Sequence, residues 1–585
     1  MELSHLIVDA IWRPSFVLKY RELQDHLQPS SGRIGPPSWD CSFLNPRNRV
    51  DTLDTTFSRW RIDGATICGT CVYAIPLDLL PRLPPLRILL YLLDQTEYPA
   101  ALRHGLDACI GVPLRDPKAI SQLGIARHLC RALDYHCTQN PGFLEQYLKL
   151  PFGSKLIFED VTPDVADMRL DVERDYQVET NMKTIQSLQQ SWPEVASDIW
   201  PPIIDIKDLR LVRQINEAVS LVEVPGQPLA IFKSATSSLH HTYHELRLLL
   251  TCPPHPHIMP RPLAVVTKKS TFGGKQGVVG FLLQNFQGGS LRDILPARQR
   301  AGTLSDSVKL RWCRQVALAL AHLHDMGTFY SDLRPDNVLL DSDENVVLCD
   351  FEQRGNWYEW CAPEILYRQY AENIRSRLPD RVINSPYDRL LKGYAQSHTL
   401  CHSSCYTPAE SPIEARNRAW FALPPAAQER AAVYSLGLFI YSVFEGLSNV
   451  QCNVANQFPI EPEVEFPTFR RTPGVIRKII QNCIVDTPDW QTAGLQSEML
   501  RVVRVNGLLY PKTQPDLEPG TRATFDTVMD ILLKFWSMEL ARAEMFLDSP
   551  EWETGDFGKN RASLHDIVDA LESQSEDLNG EATKN

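Results

Sequence analysis

The sequence contains no long uninterrupted apolar run, although 43% of its 585 residues are hydrophobic. The nearest approach, from Ala431 to Leu447, includes Glu445 and falls short of the roughly 18 residues that a membrane-spanning helix needs. A membrane span is therefore not expected, and this segment is predicted to be a buried helix because it is apolar on all sides. The N-terminal residues also lack a basic flank ahead of an apolar stretch, so no signal peptide is expected.

The sequence also lacks an excess of positive charge. Its 59 lysines and arginines are outnumbered by 71 aspartates and glutamates, which leaves a net charge of −12. This balance argues against a general binder of nucleic acid or of anionic membranes. The 14 cysteines, in a chain without a visible secretion signal, are expected to be reduced thiols of a cytoplasmic or nuclear protein. The length predicts two or more domains.

One run of residues carries most of the functional information. Phe329 to Glu352 reads FYSDLRPDNVLLDSDENVVLCDFE and places Asp332, Arg334 and Asn337 ahead of Asp350. Phosphoryl transfer from a nucleotide needs a carboxylate to orient the attacking hydroxyl and a cation near the moving phosphate. It also needs an amide and a second carboxylate to hold metal ions. All four kinds of group are present in this run.

The run resembles the catalytic loop H-R-D-L-K-P-x-N and the triplet D-F-G of eukaryotic protein kinases. Further similarities lie on both sides of this run, in the order typical of that family. They resemble in particular those of divergent kinase-like proteins of fungi. They are the strand ending in Lys233, the helix carrying Glu245, the stretch from Gly288 to Arg292, the triplet Ala362-Pro363-Glu364 and the segment from Ala432 to Gly437.

The resemblance implies an α+β, bilobal protein-kinase-like fold with a β-rich N-lobe, a helical C-lobe and an N-terminal mixed α/β accessory domain. It also implies ATP and Mg²⁺ as cofactors and a protein substrate or binding partner, with serine or threonine favoured over tyrosine as the acceptor. The implied roles are orientation of the hydroxyl by Asp332, charge compensation by Arg334, phosphate binding by Lys233 braced by Glu245, and metal binding by Asn337 and Asp350.

Several residues depart from the family pattern near the chemistry. No glycine lies between Asp208 and Val224, where a glycine-rich loop is expected to cover the phosphates. Tyr330 and Ser331 replace the histidine and arginine of H-R-D, Ala432 replaces an aspartate, and Glu352 replaces the glycine of D-F-G. No clear arginine follows Asp486 to pair with Glu364, and Trp490 stands about where it is expected.

These departures leave two alternatives to an active protein kinase. One is a pseudokinase that acts as a scaffold or interaction protein. The other is a small-molecule kinase, because choline and aminoglycoside phosphotransferases share the two-lobed fold and often carry D-F-E. The presence of Ala362-Pro363-Glu364 and of Gly288 to Arg292 argues against the second alternative.

The expected domains are an accessory domain over residues 1–200 and a kinase-like domain over 203–545, followed by an acidic tail over 546–585 whose end is predicted to be disordered. Within the kinase-like domain the N-lobe covers about 203–287, the C-lobe 288–545 and an insert 365–430. The accessory domain, with a helix predicted from Ile120 to Tyr135, could contact a partner. The sequence leaves its role open.

Two groups of cysteines and histidines could bind a metal or react. His398, Cys401, His402 and Cys405 lie in the insert at intervals that suit zinc, although no second pair follows at the usual distance. Cys68 and Cys71 form a Cys-x-x-Cys pair without the strand–helix setting of a redox motif. Reduced thiols in a surface loop and structural thiols are the favoured interpretations.

The segment between D-F-E and A-P-E, from Gln353 to Cys361, contains no serine or threonine and a single tyrosine, Tyr358. Many kinases order this segment by pairing a phosphate with the arginine of H-R-D, which is Ser331 here. The segment is therefore predicted to be ordered without phosphorylation, with Trp357 and Trp360 as apolar anchors.

Overall fold

A computed structural model shows the architecture of the chain. The residues that it describes, and to which every structural statement below refers, are 58–65, 71–92, 120–121, 123–235, 239–353, 358–367, 420, 423–450, 461–462, 464–486, 502–505, 508–511, 545, 550 and 556–582.

A five-stranded sheet forms the N-terminal unit, in the order β1-β2-β3-β4-β5. Only β3 and β4 are parallel. Its strands are β1 Trp60–Ala65, β2 Cys71–Pro76, β3 Leu89–Leu92, β4 Lys155–Phe158 and β5 Leu170–Glu173. Helix α1, Gly124–Gln139, buries one face in the core of this sheet, as the periodicity over Ile120 to Tyr135 predicted. A short helix α2, Phe143–Tyr147, follows it.

A second sheet of six strands has the order β6-β10-β11-β9-β8-β7. Its strands are β6 Ile203–Asp205, β7 Arg210–Gln214, β8 Val219–Glu223, β9 Ala230–Ser234, β10 Ala264–Lys269 and β11 Gln276–Gln284. Helix α5, Leu239–Thr251, connects β9 to β10 and packs on β11. The residues from Asp208 to Val224 thus include the antiparallel pair β7 and β8.

Two short helices precede this sheet, α3 Gln177–Asn181 and α4 Ile185–Ser191. Their buried side chains, among them Val178 and Leu188, lie in the same core as β9, β11 and α5. The packed core therefore begins on the N-terminal side of the boundary drawn at residue 200.

Glu179 on α3 attaches these helices to the β10–β11 hairpin. Its buried carboxylate accepts hydrogen bonds from the backbone N–H of Phe152 (2.9 Å), from Thr271 through both N–H (2.6 Å) and hydroxyl (2.8 Å), and from Lys268. Burial tends to raise the pKa of Glu179, but these hydrogen bonds together lower it below its ordinary value.

The remaining described helices form the second lobe. From residue 288 onward it begins with two helices, α6 and α7, and a two-stranded sheet follows them. The elements are α6 Leu291–Ala301, α7 Asp306–Asp325, β12 Val338–Leu340, β13 Val346–Leu348, α8 Pro425–Glu445, α9 Gly474–Ile484 and the strand pair β14 Val502–Val505 and β15 Leu508–Pro511. Ser305 caps α7 by accepting a hydrogen bond from the N–H of Val308 (3.4 Å). Helix α8 is buried along all of its sides from Ala431 onward, as its uniformly apolar sequence predicted. The described part of the chain contains no helix that is both long and apolar enough to cross a membrane.

A helix forms much of the acidic tail, whose end the sequence predicted to be disordered. Helix α10 runs from Leu564 to Ala582. Its residues Leu564, Ile567, Val568 and Leu571 join the core of the helical lobe and pack along α7. Apolar residues at helical spacing supply the driving force that the acidic composition concealed.

Candidate active site

Lys233 lies at the centre of the candidate site. It belongs to β9, where the alternation of a strand directs Phe232 into the core and Lys233 to the opposite face. Its Nζ atom lies 2.5 Å from Oε2 of Glu245 on α5 and 2.6 Å from Oδ1 of Asp350. The structure thus contains the Lys233–Glu245 pair that the sequence predicted.

Three carboxylates surround this one lysine. Oε1 of Glu352 lies 3.7 Å from the Nζ atom of Lys233, and oxygens of Glu245, Asp350 and Glu352 all lie within 4.8 Å of one another. Burial tends to lower the pKa of Lys233, but the three carboxylates raise it well above its ordinary value. Burial raises the pKa of Glu245 to about 7, and the neighbouring Asp350 and Glu352 act in the same direction. Lys233 is therefore held as a cation.

The D-F-E triplet connects this cluster to α5. Phe351 is fully buried, and its N–H donates to Oε1 of Glu245 at 3.1 Å. Asp350 adopts a left-handed backbone conformation (φ 63°) that turns its half-buried carboxylate toward Lys233. Glu352 lies beside the predicted metal ligand Asp350, as its position in the triplet indicated. The carboxylate oxygens gathered here are ligands of the kind that Mg²⁺ prefers.

The catalytic loop precedes β12 and brings three predicted residues together. The Nδ2 atom of Asn337 donates to Oδ2 and to the backbone oxygen of Asp332, both at 2.9 Å. The Nε atom of Arg334 lies 3.3 Å from the same Oδ2. Burial raises the pKa of Asp332 although Arg334 opposes the shift.

The other carboxylate oxygen of Asp332 has a different environment. Oδ1 is buried, and no residue in the described part of the chain donates a hydrogen bond to it. A buried acceptor without a donor is costly and is typical of functional sites. Asp332 thus has one oxygen fixed by its neighbours and one buried oxygen that receives no hydrogen bond from the described residues.

The replacements in H-R-D are accommodated by packing. Tyr330 is buried, donates its hydroxyl hydrogen to the backbone oxygen of Cys349, and lies edge-on to Phe351 with ring centroids 5.2 Å apart. It therefore connects this loop to the D-F-E triplet and the residue before it, through a hydrogen bond and a contact between aromatic rings. Ser331 is fully buried, and its hydroxyl has no hydrogen-bond partner among the described residues.

Gln353 forms a connection that the sequence did not reveal. Its Nε2 atom donates to the backbone oxygen of Phe329, and its Oε1 atom lies 2.8 Å from Nε2 of His244 on α5. Farther along, the hydroxyl of Ser435 on α8 donates to the backbone oxygen of Trp360 at 2.9 Å. Trp360 is buried as predicted, whereas Trp357 lies outside the described residues.

Glu364 has an arginine partner that the sequence analysis did not find. Arg561 donates from Nη1 to Oε1 (2.5 Å) and from Nη2 to Oε2 (3.2 Å) of Glu364, and both side chains are fully buried. The expectation that no arginine fills this role is therefore wrong. Because 197 positions separate the pair, no local spacing could have predicted it.

The turn from Ile215 to Ala218 occupies the position of the missing glycine-rich loop. Asn216 closes it, because its Oδ1 atom accepts from the N–H of Ala218 at 2.8 Å. Gln214 donates from Nε2 to the backbone oxygen of Asn216 at 2.9 Å. The N–H of Ser234 donates to the backbone oxygen of Ala218 at 2.7 Å. Hydrogen bonds of side chains thus fix the conformation of this turn, whereas a glycine-rich loop in the same position would be flexible.

The two possible metal or redox groups lie largely beyond the described part of the chain. His398, Cys401, His402, Cys405 and Cys68 are all outside it. Cys71 begins β2 as a buried free thiol. The proposals made for these residues stay predictions.

Comparison with known proteins agrees with this geometry. Residues 230–374 match the family model described as protein kinase domain. "Serine/threonine-protein kinase UCN" of Arabidopsis thaliana is 33% identical over 135 residues, which are 23% of this chain and 32% of that protein. "Serine/threonine-protein kinase UCNL" of the same plant is 33% identical over 188 residues, 32% of this chain and 43% of that protein.

A mammalian protein shows a similar match. "Serine/threonine-protein kinase Sgk1" of Mus musculus is 29% identical over 172 residues, 27% of this chain and 37% of that protein. The chain thus spans between 32% and 43% of the length of these three relatives. The narrower resemblance to divergent fungal proteins stays a prediction.

Proposed function

We propose that this chain, which belongs to the protein-kinase-like superfamily, transfers the γ-phosphate of ATP to a serine or threonine hydroxyl of a protein. The observation that carries the proposal is the assembled contact set around Lys233. The lysine lies between Glu245 and Asp350, while Glu245 also accepts the N–H of Phe351. We further propose that the protein acts in the cytoplasm or nucleus.

ATP and Mg²⁺ fit the residues present. Lys233 would hold nucleotide phosphates, with Glu245 as its brace, and Asp350 and Asn337 would hold magnesium, which compensates charge on the transferred phosphate. Asp350 is accessible for this role because its side chain is 38% exposed. Glu352 adds a third carboxylate to this region, which the usual glycine would not.

The acceptor hydroxyl would meet Asp332. Asn337 and Arg334 fix this carboxylate through Oδ2, and the carboxylate would accept a hydrogen bond from the hydroxyl and then take its proton. The guanidinium of Arg334 offsets negative charge in the loop. Its planar fork places that charge differently from the lysine usual at this position.

The proposal predicts the effect of Asp332→Asn. We expect the variant to lose about 10²–10⁴ in the rate of phosphate transfer, because the amide cannot accept the proton. ATP binding should change little, since Asp332 faces the acceptor. The matched control is Asp343→Asn, the same substitution at an exposed position of the β12–β13 turn. An unchanged rate in Asp332→Asn would mean that the measured activity belongs to a contaminant.

One observation favours the alternative of a pseudokinase scaffold. The turn at Ile215 to Ala218 is closed by side chains where backbone would otherwise approach the phosphates. Thermal unfolding with ATP and Mg²⁺ separates the two functions, with wild type and Asp350→Ala compared. A magnesium-dependent rise in Tm that the variant loses supports the enzyme, and no rise under any condition supports the scaffold.

A further inference from the structure

We propose that the N-terminal sheet is a built-in clamp that positions the β7–β8 turn over the nucleotide. The N-terminal clamp consists of Arg61, Asp63, Leu83 and Arg87, which contact β7 and its turn. This inference rests on the proposed function, because the turn faces a nucleotide only if the chain binds one. It gives the N-terminal sheet, whose role the sequence left open, a direct effect on ATP affinity.

The clamp first holds the strand β7. Leu211 is a member of the core of the N-terminal sheet although it belongs to the six-stranded sheet. Its N–H donates to the backbone oxygen of Leu83 at 2.9 Å. The outer strand of one sheet is therefore packed into the other.

Two charged residues of β1 continue this attachment toward the turn. Arg61 donates from Nη2 to the backbone oxygen of Val212 at 2.8 Å. Oδ2 of Asp63, a buried carboxylate, accepts the N–H of Gln214 at 2.7 Å. Hydrogen bonds to a charged acceptor are stronger than those between neutral groups. Gln214 is also the residue whose side chain closes the turn, so Asp63 fixes the base of the turn.

Arg87 reaches the turn itself. Its Nη2 atom lies 3.2 Å from Oε1 of Glu217, and its guanidinium lies over the ring of Phe152 at 5.9 Å from the centroid. Nε and Nη1 of Arg87 are buried and donate no hydrogen bond to any described residue. Glu217 therefore provides the one hydrogen bond that this buried guanidinium makes within the described part of the chain.

The rigidity of the turn explains why a clamp is needed. A glycine-rich loop can adjust its backbone to the phosphates, whereas the turn closed by Asn216 and Gln214 moves as a unit. Such a turn supports binding only if it is held at the right distance, because affinity depends on preorganisation. The N-terminal clamp supplies that position, and Glu217 is a positioning residue that transmits it.

The test compares ATP affinity in full-length variants by isothermal titration calorimetry with magnesium present. Glu217→Gln removes the ion pair at a half-exposed side chain, so we expect the Kd for ATP to rise by up to about fivefold. Glu217→Asp keeps the charge and should recover part of the affinity. The control is Glu223→Gln, which removes a similar pair with Arg210 at the far end of the same hairpin and should leave the Kd unchanged.

A second variant and a second measurement make the outcome independent of catalysis. Asp63→Asn removes the charge of the acceptor for Gln214, and hydrogen exchange of the peptide from Gln214 to Val219 should speed up in this variant and in Glu217→Gln. Faster exchange together with weaker ATP binding supports the clamp. Exchange and Kd equal to those of Glu223→Gln overturn it, as does faster exchange with an unchanged Kd. If the wild-type protein binds no ATP, the proposed function is refuted. Faster exchange in the two variants would then show only that the N-terminal clamp holds the turn.

Discussion

At the scale of single residues, several buried ionic contacts hold this molecule together, and they differ from exposed ones in what their loss should cost. The pair Arg561–Glu364 is fully buried, and Glu179 and its partner Lys268 are buried as well. Removing one partner of such a pair leaves a charge without compensation in a medium of low dielectric. Exposed pairs such as Lys155–Glu173 lose little, because water solvates either partner alone.

Glu179→Gln tests this contrast. We expect the variant to lower the free energy of unfolding by about 3–5 kcal/mol at neutral pH, because Lys268 keeps its buried charge and loses its partner. The control Glu173→Gln, whose carboxylate is half-exposed and pairs with Lys155, should cost less than about 1 kcal/mol. Urea titrations of both variants measure the difference, and equal costs would contradict the argument.

The same residue predicts a dependence on pH. Because the folded-state pKa of Glu179 is lowered, its stabilising effect is complete above the ordinary carboxyl pKa of about 4.3 and is lost as pH falls through the folded-state value. The difference in stability between wild type and Glu179→Gln should therefore shrink on acidification. A difference that grows as pH falls would show that the carboxylate is destabilised in the fold.

At the scale of elements, the segment after D-F-E is anchored without a phosphate. Gln353 connects the backbone oxygen of Phe329 to His244 on α5, and Trp360 is held through its backbone oxygen by Ser435. These contacts use neutral groups, and Ser331 offers no cation where kinases regulated by phosphorylation carry arginine. Burial of apolar area and neutral hydrogen bonds can order such a segment.

This anchoring predicts that Tyr358→Phe and phosphatase treatment leave phosphate transfer unchanged, whereas Gln353→Ala lowers it. Loss of the Gln353 side chain removes its hydrogen bonds to the backbone oxygen of Phe329 and to His244, so the segment is positioned less well and the rate of phosphate transfer should fall by about tenfold or more. Gln227→Ala, at an exposed turn, serves as the control. Mass spectrometry that finds a stoichiometric phosphate on Tyr358, whose removal abolishes activity, would disprove the prediction.

At the scale of the whole molecule, the residues just ahead of helix α10 hold the Ala362-Pro363-Glu364 triplet in place. Arg561, just ahead of α10, fixes Glu364, and Ala362 beside it is fully buried. The end of the segment is thus held between α8 and the C-terminal part of the chain. The resemblance of this triplet to the A-P-E of protein kinases supports the proposal of a protein acceptor over a small alcohol.

We therefore expect that choline, ethanolamine and aminoglycosides do not stimulate ATP turnover. Release of ADP at increasing concentrations of each compound measures the effect, with Asp332→Asn providing the background rate. A saturable rise in wild type that is absent from Asp332→Asn would identify a small-molecule kinase and overturn the assignment to protein substrates.

The sequence by itself determined which side chains lie together at the centre of the site. Asp332, Arg334 and Asn337 lie within six consecutive residues, so their spacing alone brings them together. Lys233 and Glu245 belong to a strand and the helix that follows it, and this local order made their pairing predictable. The uniformly apolar helix α8 and the amphipathic helix α1 were likewise readable from periodicity.

Only the tertiary structure decided the contacts between distant segments. Arg561 reaches Glu364 across 197 positions, and Asp63 reaches Gln214 across 151. Nothing in the local spacing marks such partners, because a hydrogen bond depends on where two folded segments meet and not on the residues beside each partner. The same reason hid the attachment of the N-terminal sheet to β7 and the packing of the acidic tail on α7. The sequence thus determined which groups could do chemistry, and the fold decided what holds them in place.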